Sequence, residues 1–374
     1  MMNIKETVEQ NKELIQSTYD DLHEIPEIGM QEYKTSAYLK NKMKETGVFD
    51  EIIEVGETGI VGVIKGQEPG PVVGIRADID ALEFEIDGEK VRKHACAHDA
   101  HATMALSAAI IAGKAGIKKG TLKLVLQPAE EILVGALSMI ESGQVADIDE
   151  LYGMHLRPIQ EAKLGEATAG LWHSASRVIE VKITGKEGHG ARPHLGINAI
   201  DAGVAIVNAV NAIHLNPAIN FSAKCTKFQA GGLATNIIPS NCDLTFDIRA
   251  EYNDDMDELV RKMELAIEHG AQTAGATATI TRNAGVPAAE YNEELLGVVR
   301  EAIENTLGSA IPDIHTPGGE DFHFFATEAG LKTAYFGVGA DLTPGLHSID
   351  MEFNRDAMLN GVEILLNIIN MRLM

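Results

Sequence analysis

Between His94 and His101 the chain reads His-Ala-Cys-Ala-His-Asp-Ala-His, which gathers imidazoles, a thiol and a carboxylate into one short stretch. Thiolate and neutral imidazole are strong ligands for borderline divalent metals. Cys96 and His98 lie two apart, so in an extended segment both side chains share a face. A closed structural zinc site would draw mostly on thiolates, and only one cysteine is near. Further on, Gln127-Pro128-Ala129-Glu130-Glu131 sets two adjacent carboxylates behind an apolar run. On an extended segment they diverge, so one can hold a cation while its neighbour faces a water. The cation lowers the water's pKa and the unligated carboxylate takes the proton. These residue types together point to a metal-dependent hydrolase. No Gly-X-Ser-X-Gly elbow offers a serine nucleophile.

The elements that position these residues follow from periodicity. Ile4, Val8, Leu14, Ile15 and Leu22 predict an amphipathic helix over 4–24, closed by Pro26. A second helix is expected over 35–45, with Gly47 as its C′ glycine. Short apolar runs at 59–64, 72–75, 122–126 and 151–155 read as buried strands, and 102–115 and 133–142 as helices. Such alternation indicates an α/β layer architecture, with ligand chemistry at strand ends. Residues 176–283 form a separate βαββαβ block, the order of a ferredoxin-like sandwich. Helix 292–307, strand 333–337 and helix 354–373 complete the first domain. The expected organisation is an α/β/α catalytic domain over 1–172 and 287–374, with an inserted lid and dimerisation domain over 173–286.

At 374 residues the chain is long enough for two or three domains. A net charge of −24 disfavours nucleic acid or an anionic membrane as partner. Three cysteines, Cys96, Cys225 and Cys242, are too few for a disulfide framework and fit a reducing cytoplasm. Cys225 and Cys242 fall in apolar strands and are expected in the core. The N-terminal stretch lacks the apolar region of a signal peptide, and no apolar run reaches the length of a membrane span.

In these features the chain resembles the M20 metallopeptidase family, in its amidohydrolase branch that cleaves N-acyl amino acids. The shared motifs include His23-Glu24-Ile25-Pro26-Glu27, Arg76-Ala77-Asp78-Ile79-Asp80-Ala81-Leu82, the His94–His101 run, Gln127–Glu131 and Gly153-Met154-His155. They continue through Gly188-His189-Gly190-Ala191-Arg192-Pro193-His194, Asn236-Ile237-Ile238-Pro239, Gly319-Glu320-Asp321-Phe322 and Leu346-His347. The resemblance implies two divalent metal ions, zinc or manganese, with cobalt or nickel also suited to the donors. It implies Cys96, His98, Glu131, His155 and His347 as ligands, Glu130 as general base and Asp80 as support for a ligand. It implies His189 as the donor to the oxyanion, in some relatives across a dimer, and Asn236, Arg249 and His194 as substrate-binding residues. A homodimer or higher homo-oligomer through the lid is implied as well. The substrate would be a small N-acyl amino acid or a peptide. A dipeptidase or aminopeptidase on the same metals, and a metal-binding protein whose site has lapsed, are the alternative readings.

The chain departs from the family pattern in two places. Ala97 stands where glycine is usual; if that position has φ > 0, alanine costs about 1 kcal/mol. The stretch from Leu82 to His94 is short, with Glu83 in place of the customary proline.

Overall fold

Short apolar runs bounded by glycine and proline become the strands of a seven-stranded sheet in the computed structural model, which describes residues 3–374. Across the sheet the order is Glu51–Val55, Gly59–Lys65, Lys119–Gln127, Glu68–Asp78, Glu150–Pro158, Lys332–Leu342 and Ala167–Thr168. The four strands from Lys119–Gln127 to Lys332–Leu342 run parallel, and the flanking pairs are antiparallel. Parallel strands covered on both faces read as continuous apolar runs rather than alternations, which is why this sheet was visible in the sequence. The strand Glu51–Val55 was not: glutamates at 51 and 54 break its apolar residues, and no continuous run remains.

The helix His98–Ala115 is buried along nearly its whole length. Alanine makes that possible, since a helix of small side chains can sit between a sheet and another helix. It packs with Ala357–Leu373, where Gly361 allows the close approach: a Cβ there would meet the Met104 sulfur at 2.1 Å. Helix Tyr33–Thr46 ends at Gly47 in the left-handed conformation, φ 64°, as expected of a C′ glycine. The single helix expected over 4–24 is instead two, Ile4–Gln10 and Lys12–His23. The break is at Asn11, whose side-chain amide bonds the Thr7 carbonyl at 2.8 Å and competes with the helical ladder.

The sheet and these helices belong to one of two compact units: the chain to Trp172, Glu290–His315 and Asp321–Met374. The other unit comprises His173–Ala289 and Thr316–Glu320. It holds four antiparallel strands in the order Phe221–Ala230, Asn241–Ala250, Ala175–Thr184, Thr277–Val286. Helices Ala199–Asn211 and Asn253–Thr273 supply the βαββαβ sequence of a ferredoxin-like sandwich. Val181, Leu244, Phe246 and Ile248 alternate into its core with Ile206, Leu259 and Met263 from the helices. Cys242 lies in this core. Cys225 does not; it is half-buried at a bulge in the edge strand, where its thiol meets the Lys227 carbonyl. No helix among the described residues is long and apolar enough to cross a membrane.

Candidate metal centre

Two neighbouring parallel strands deliver the first carboxylates. Glu68–Asp78 ends on Asp78, with Asp80 two residues beyond, and its register partner at that end is Gln127, the last residue of Lys119–Gln127. Glu130 and Glu131 follow within one turn. Ligand sites of open α/β sheets lie at such carboxyl ends. His155 comes from the adjacent strand, Glu150–Pro158.

The segment bearing Cys96 and His98 is not extended. Helix His98–Ala115 begins at His98, and Ala97 before it is left-handed, φ 63° and ψ 26°. The bend at Ala97, rather than strand alternation, turns both side chains to one place. Glu130 and Glu131 are also not on an extended segment. They sit in a turn closed by the Leu133 amide on the Glu130 carbonyl at 2.8 Å, after Ala129 at φ 56°. The buried Glu32 carboxylate holds that turn by accepting from the Ala129 amide and the Thr58 hydroxyl, each at 2.8 Å.

The five expected ligands come together. Cys96 Sγ lies 3.4 Å from His155 Nε2. His155 Nδ1 donates to the Leu156 carbonyl at 2.6 Å, which leaves its Nε2 lone pair facing the sulfur. His98 Nδ1 donates to Asp80 Oδ1 at 3.0 Å. Its Nε2 is buried without a hydrogen-bond partner, 3.8 Å from Glu131 Oε1 and 3.9 Å from Glu130 Oε2. Glu131 Oε1 is likewise buried and unpartnered, while its Oε2 lies 3.5 Å from His347 Nε2. Asp80 accepts on its other oxygen from the Glu131 amide at 3.0 Å, so one aspartate orients a histidine and a glutamate. His347 is more than half exposed and is tied to the cluster by its amide on the Ala95 carbonyl at 2.7 Å.

The donor atoms of Cys96, His98 and His155 lie within 4.8 Å of one another, and so do those of Cys96, Glu131 and His347. The two triads share the Cys96 sulfur. Both buried histidines spend Nδ1 on an acceptor and present Nε2, the arrangement of metal-binding imidazoles. The orphaned Nε2 of His98 and Oε1 of Glu131 are aimed at the same space. This donor set fits divalent cations.

The electrostatics agree. Burial and the Glu131 charge raise the Cys96 thiol well above its ordinary range. Burial alone would lower His98, but Asp78 and the other acceptors around it hold it well above its usual value. Glu131 is raised, by burial first. His155 is pushed well down by burial and by His101, which keeps it neutral and able to ligate.

Arg76, Asp78 and His101 stand in the shared motifs, but the network that they form was not readable in the sequence. Arg76, fully buried, donates to Gln127 at 2.8 Å, Asp78 at 2.8 Å and Asp321 at 2.9 Å. Asp78 in turn accepts from His101 Nδ1 at 2.7 Å, and His101 Nε2 accepts from the Leu156 amide at 2.9 Å. His101 thus uses both nitrogens and locks the strand that carries His155. The available signal was an arginine and an aspartate inside an otherwise apolar strand, which have no stable fate there unless paired.

The other expected residues lie in the second unit. The short ladder of Gly188–His189 with Ile237–Ile238 brings His189 beside Asn236, whose carbonyl accepts from the Gly190 amide at 2.8 Å. His189 Nδ1 accepts from the Ala191 amide at 3.0 Å, so its proton is on Nε2, exposed and ready to donate. His194 is exposed on the 3-10 turn Pro193–Leu195. Arg249 pairs with Asp247 through two bonds, 2.9 and 3.0 Å, and donates to the Pro317 carbonyl at 3.1 Å.

Comparison with known proteins agrees over most of the chain. The pattern of peptidase family M20/M25/M40 matches residues 74–371. An N-acetyl-L-cysteine deacetylase of Bacillus subtilis is 30% identical over 332 residues, covering 86% of this chain and 79% of the relative. An N-acetyldiaminopimelate deacetylase of Streptococcus pneumoniae serotype 4 is 31% identical over 369 residues, covering 94% and 96%. The crystal structure of a Bacillus subtilis dinuclear metal binding peptidase superposes with a TM-score of 0.80 at 26% identity, covering 96% of this chain and 98% of that one.

Proposed function

The chain belongs to peptidase family M20/M25/M40, and on that footing we propose that it hydrolyses the amide bond of N-acyl amino acids or short N-acylated peptides at a two-metal centre. The observation that carries this reading is the pair of donor triads meeting at Cys96. Cys96, His98 and His155 would hold one divalent ion, and Cys96, Glu131 and His347 the other, with zinc favoured by the thiolate and manganese the next choice. Bound there, the ions would polarise the scissile carbonyl and lower the pKa of a water.

The rest is the work of side chains. Glu130, beside the ligands and almost fully buried, takes the proton from the attacking water and returns it to the leaving nitrogen. Asp80 fixes the His98 tautomer and the Glu131 backbone. His189, with its proton on Nε2, is the donor to the tetrahedral oxyanion. Arg249, Asn236 and His194 bind the amino-acid portion, the guanidinium exchanging its Asp247 and Pro317 partners for the substrate carboxylate. The second unit mediates a homodimer: among the described residues its edge strand Phe221–Ala230 has no outer partner, and the unit exposes Phe228, Val204, Leu233 and Ile237. The two deacetylase relatives support the substrate class.

The deciding experiment is a hydrolysis screen of N-acyl amino acids and free dipeptides, with the protein stripped and reloaded with zinc, manganese, cobalt or nickel. Turnover of N-acyl substrates that is lost on chelation and restored by metal supports the reading. Turnover confined to free dipeptides favours a peptidase instead. Bound metal without any turnover means a lapsed site.

A further inference from the structure

Three apolar residues in succession follow Glu131 in the chain. Ile132 is 53% exposed and Val134 38%, with Leu133 half-buried between them. Runs of exposed apolar residues are avoided unless they serve a function. This one begins at the residue after Glu131, so at roughly 3.8 Å per Cα step it lies within about 4–11 Å of that ligand's backbone.

The turn is built to hold it there. The Ala129 carbonyl accepts from the Val134 and Gly135 amides at 3.3 and 3.2 Å, and Leu133 is left-handed at φ 60°. Gly135 is pressed against the Pro128 carbonyl, where a Cβ would come within 1.6 Å. On the other flank Gly29 packs against Ile132, a Cβ there meeting Ile132 Cγ1 at 3.0 Å. The next residue, Met30, is 39% exposed and also left-handed, φ 61°. Two bulky residues in that conformation carry a conformational cost, maintained here in order to present an apolar strip.

We propose that Met30, Ile132, Leu133 and Val134 form a rim that receives the apolar acyl arm of the substrate, so that the enzyme prefers medium-chain acyl groups to acetyl. The inference rests on the hydrolase reading above. Because the strip follows Glu131 directly and is exposed, it is available to one of the two arms of a substrate whose amide lies at Glu130 and Glu131. The amino-acid arm carries a carboxylate, which an apolar strip would desolvate without pairing. The acyl arm carries no such charge and gains from burial.

Two measurements on the whole zinc-loaded chain test this. One is calorimetric binding of acetate, butanoate, hexanoate and octanoate; the other is kcat/KM for the matching N-acyl glycines. Wild type is expected to gain up to about fourfold per methylene in both. The double variant Ile132→Ser, Val134→Ser should fall below about twofold per methylene at the same metal content, in line with the lost apolar surface. Leu133→Gly, which relieves the left-handed leucine, is the second variant if the first folds poorly, and should also flatten the series. A flat series in wild type, or an undiminished one in both variants, would overturn the rim. So would an effect that follows the amino-acid side chain instead of acyl length. Length-dependent binding without turnover would sink the hydrolysis reading alone, and turnover with flat binding the rim alone.

Discussion

Asp80 holds two proposed ligands at once: Oδ1 accepts from His98 Nδ1 at 3.0 Å, and Oδ2 from the Glu131 amide at 3.0 Å. The carboxylate is fully buried, out of reach of solvent that could take over either bond. Asp80→Ala should free the His98 ring to change tautomer and let the Glu131 turn relax. Metal affinity is expected to fall about 10- to 100-fold, the usual range for such supports. Competition with a chromophoric chelator measures it; an affinity within twofold of wild type would remove Asp80 from this role.

Glu130 is next to a ligand in sequence but is assigned a different task. Glu130→Gln keeps the side chain's size and removes its basicity. It should bind metal as wild type does and lose about 10²- to 10⁴-fold in kcat. Metal content by emission spectroscopy and kcat on an N-acyl amino acid are the paired readouts. Loss of metal would make Glu130 a ligand, and near-normal turnover would end its role as base.

The candidate donors were legible in the sequence, and their geometry was not. Cys96, His98, Glu130 and Glu131 stand out because such side chains are rarely so dense. The bends that aim them fall at Ala97 and Ala129; only Ala97 carried a hint, since glycine is usual at that position, and Ala129 carried none, alanine having no left-handed signature of its own. The second unit was legible because its strands alternate and its helices keep a 3.6-residue period, two patterns that do not overlap. Glu32 was silent for another reason, and Asp321, though part of a shared motif, carried no sign of its partner. Each acid bonds a group far away in the chain, Ala129 for one and Arg76 for the other, and no local pattern marks such a pair. The short stretch after Leu82 is an antiparallel hairpin, Leu82–Ile86 with Glu89–Lys93, turned at Asp87 and Gly88, both at positive φ.

Ala97 tests the cost of one of those bends. At φ 63° an alanine is strained, and glycine is not. Ala97→Gly is expected to stabilise the protein by about 0.5–1 kcal/mol, the relief of strain being partly offset by the freer unfolded chain. Urea midpoints of the metal-free protein give the sign. A destabilised variant would mean that the alanine methyl, fully buried, contributes more by packing than it costs in conformation.

His23 gives a pH-dependent expectation. Its Nδ1 meets Asp99 at 2.7 Å, and that hydrogen bond raises the imidazole above its ordinary value against the opposing effect of burial. A raised folded-state pKa means that protonation stabilises the fold. The contribution is complete below the unfolded value of about 6.5 and disappears as the pH climbs through the folded value. His23→Gln should therefore destabilise most near about pH 5.5 and progressively less toward about pH 9. Urea titrations across that range in the presence of chelator test it. A deficit that grows with pH would reverse the sign and mean that the pair does not act through the charged imidazole.

The proposed dimer sets the last prediction. His189 is not among the residues of the unit that holds Cys96, Glu130 and Glu131. Its Nδ1 is occupied by the Ala191 amide, so its one free donor is an exposed Nε2. An exposed donor of fixed tautomer is suited to meeting a site on another chain. If it does so, Glu130→Gln and His189→Ala are each inactive alone, but a mixed dimer contains one site with both residues intact. Statistical mixing in equal amounts forms half of the dimers as heterodimers, each with one working site of two. The mixture should then recover roughly a quarter of wild-type activity, as independent sites add. Subunit exchange confirmed by native mass spectrometry with no recovery would assign His189 to its own chain's site.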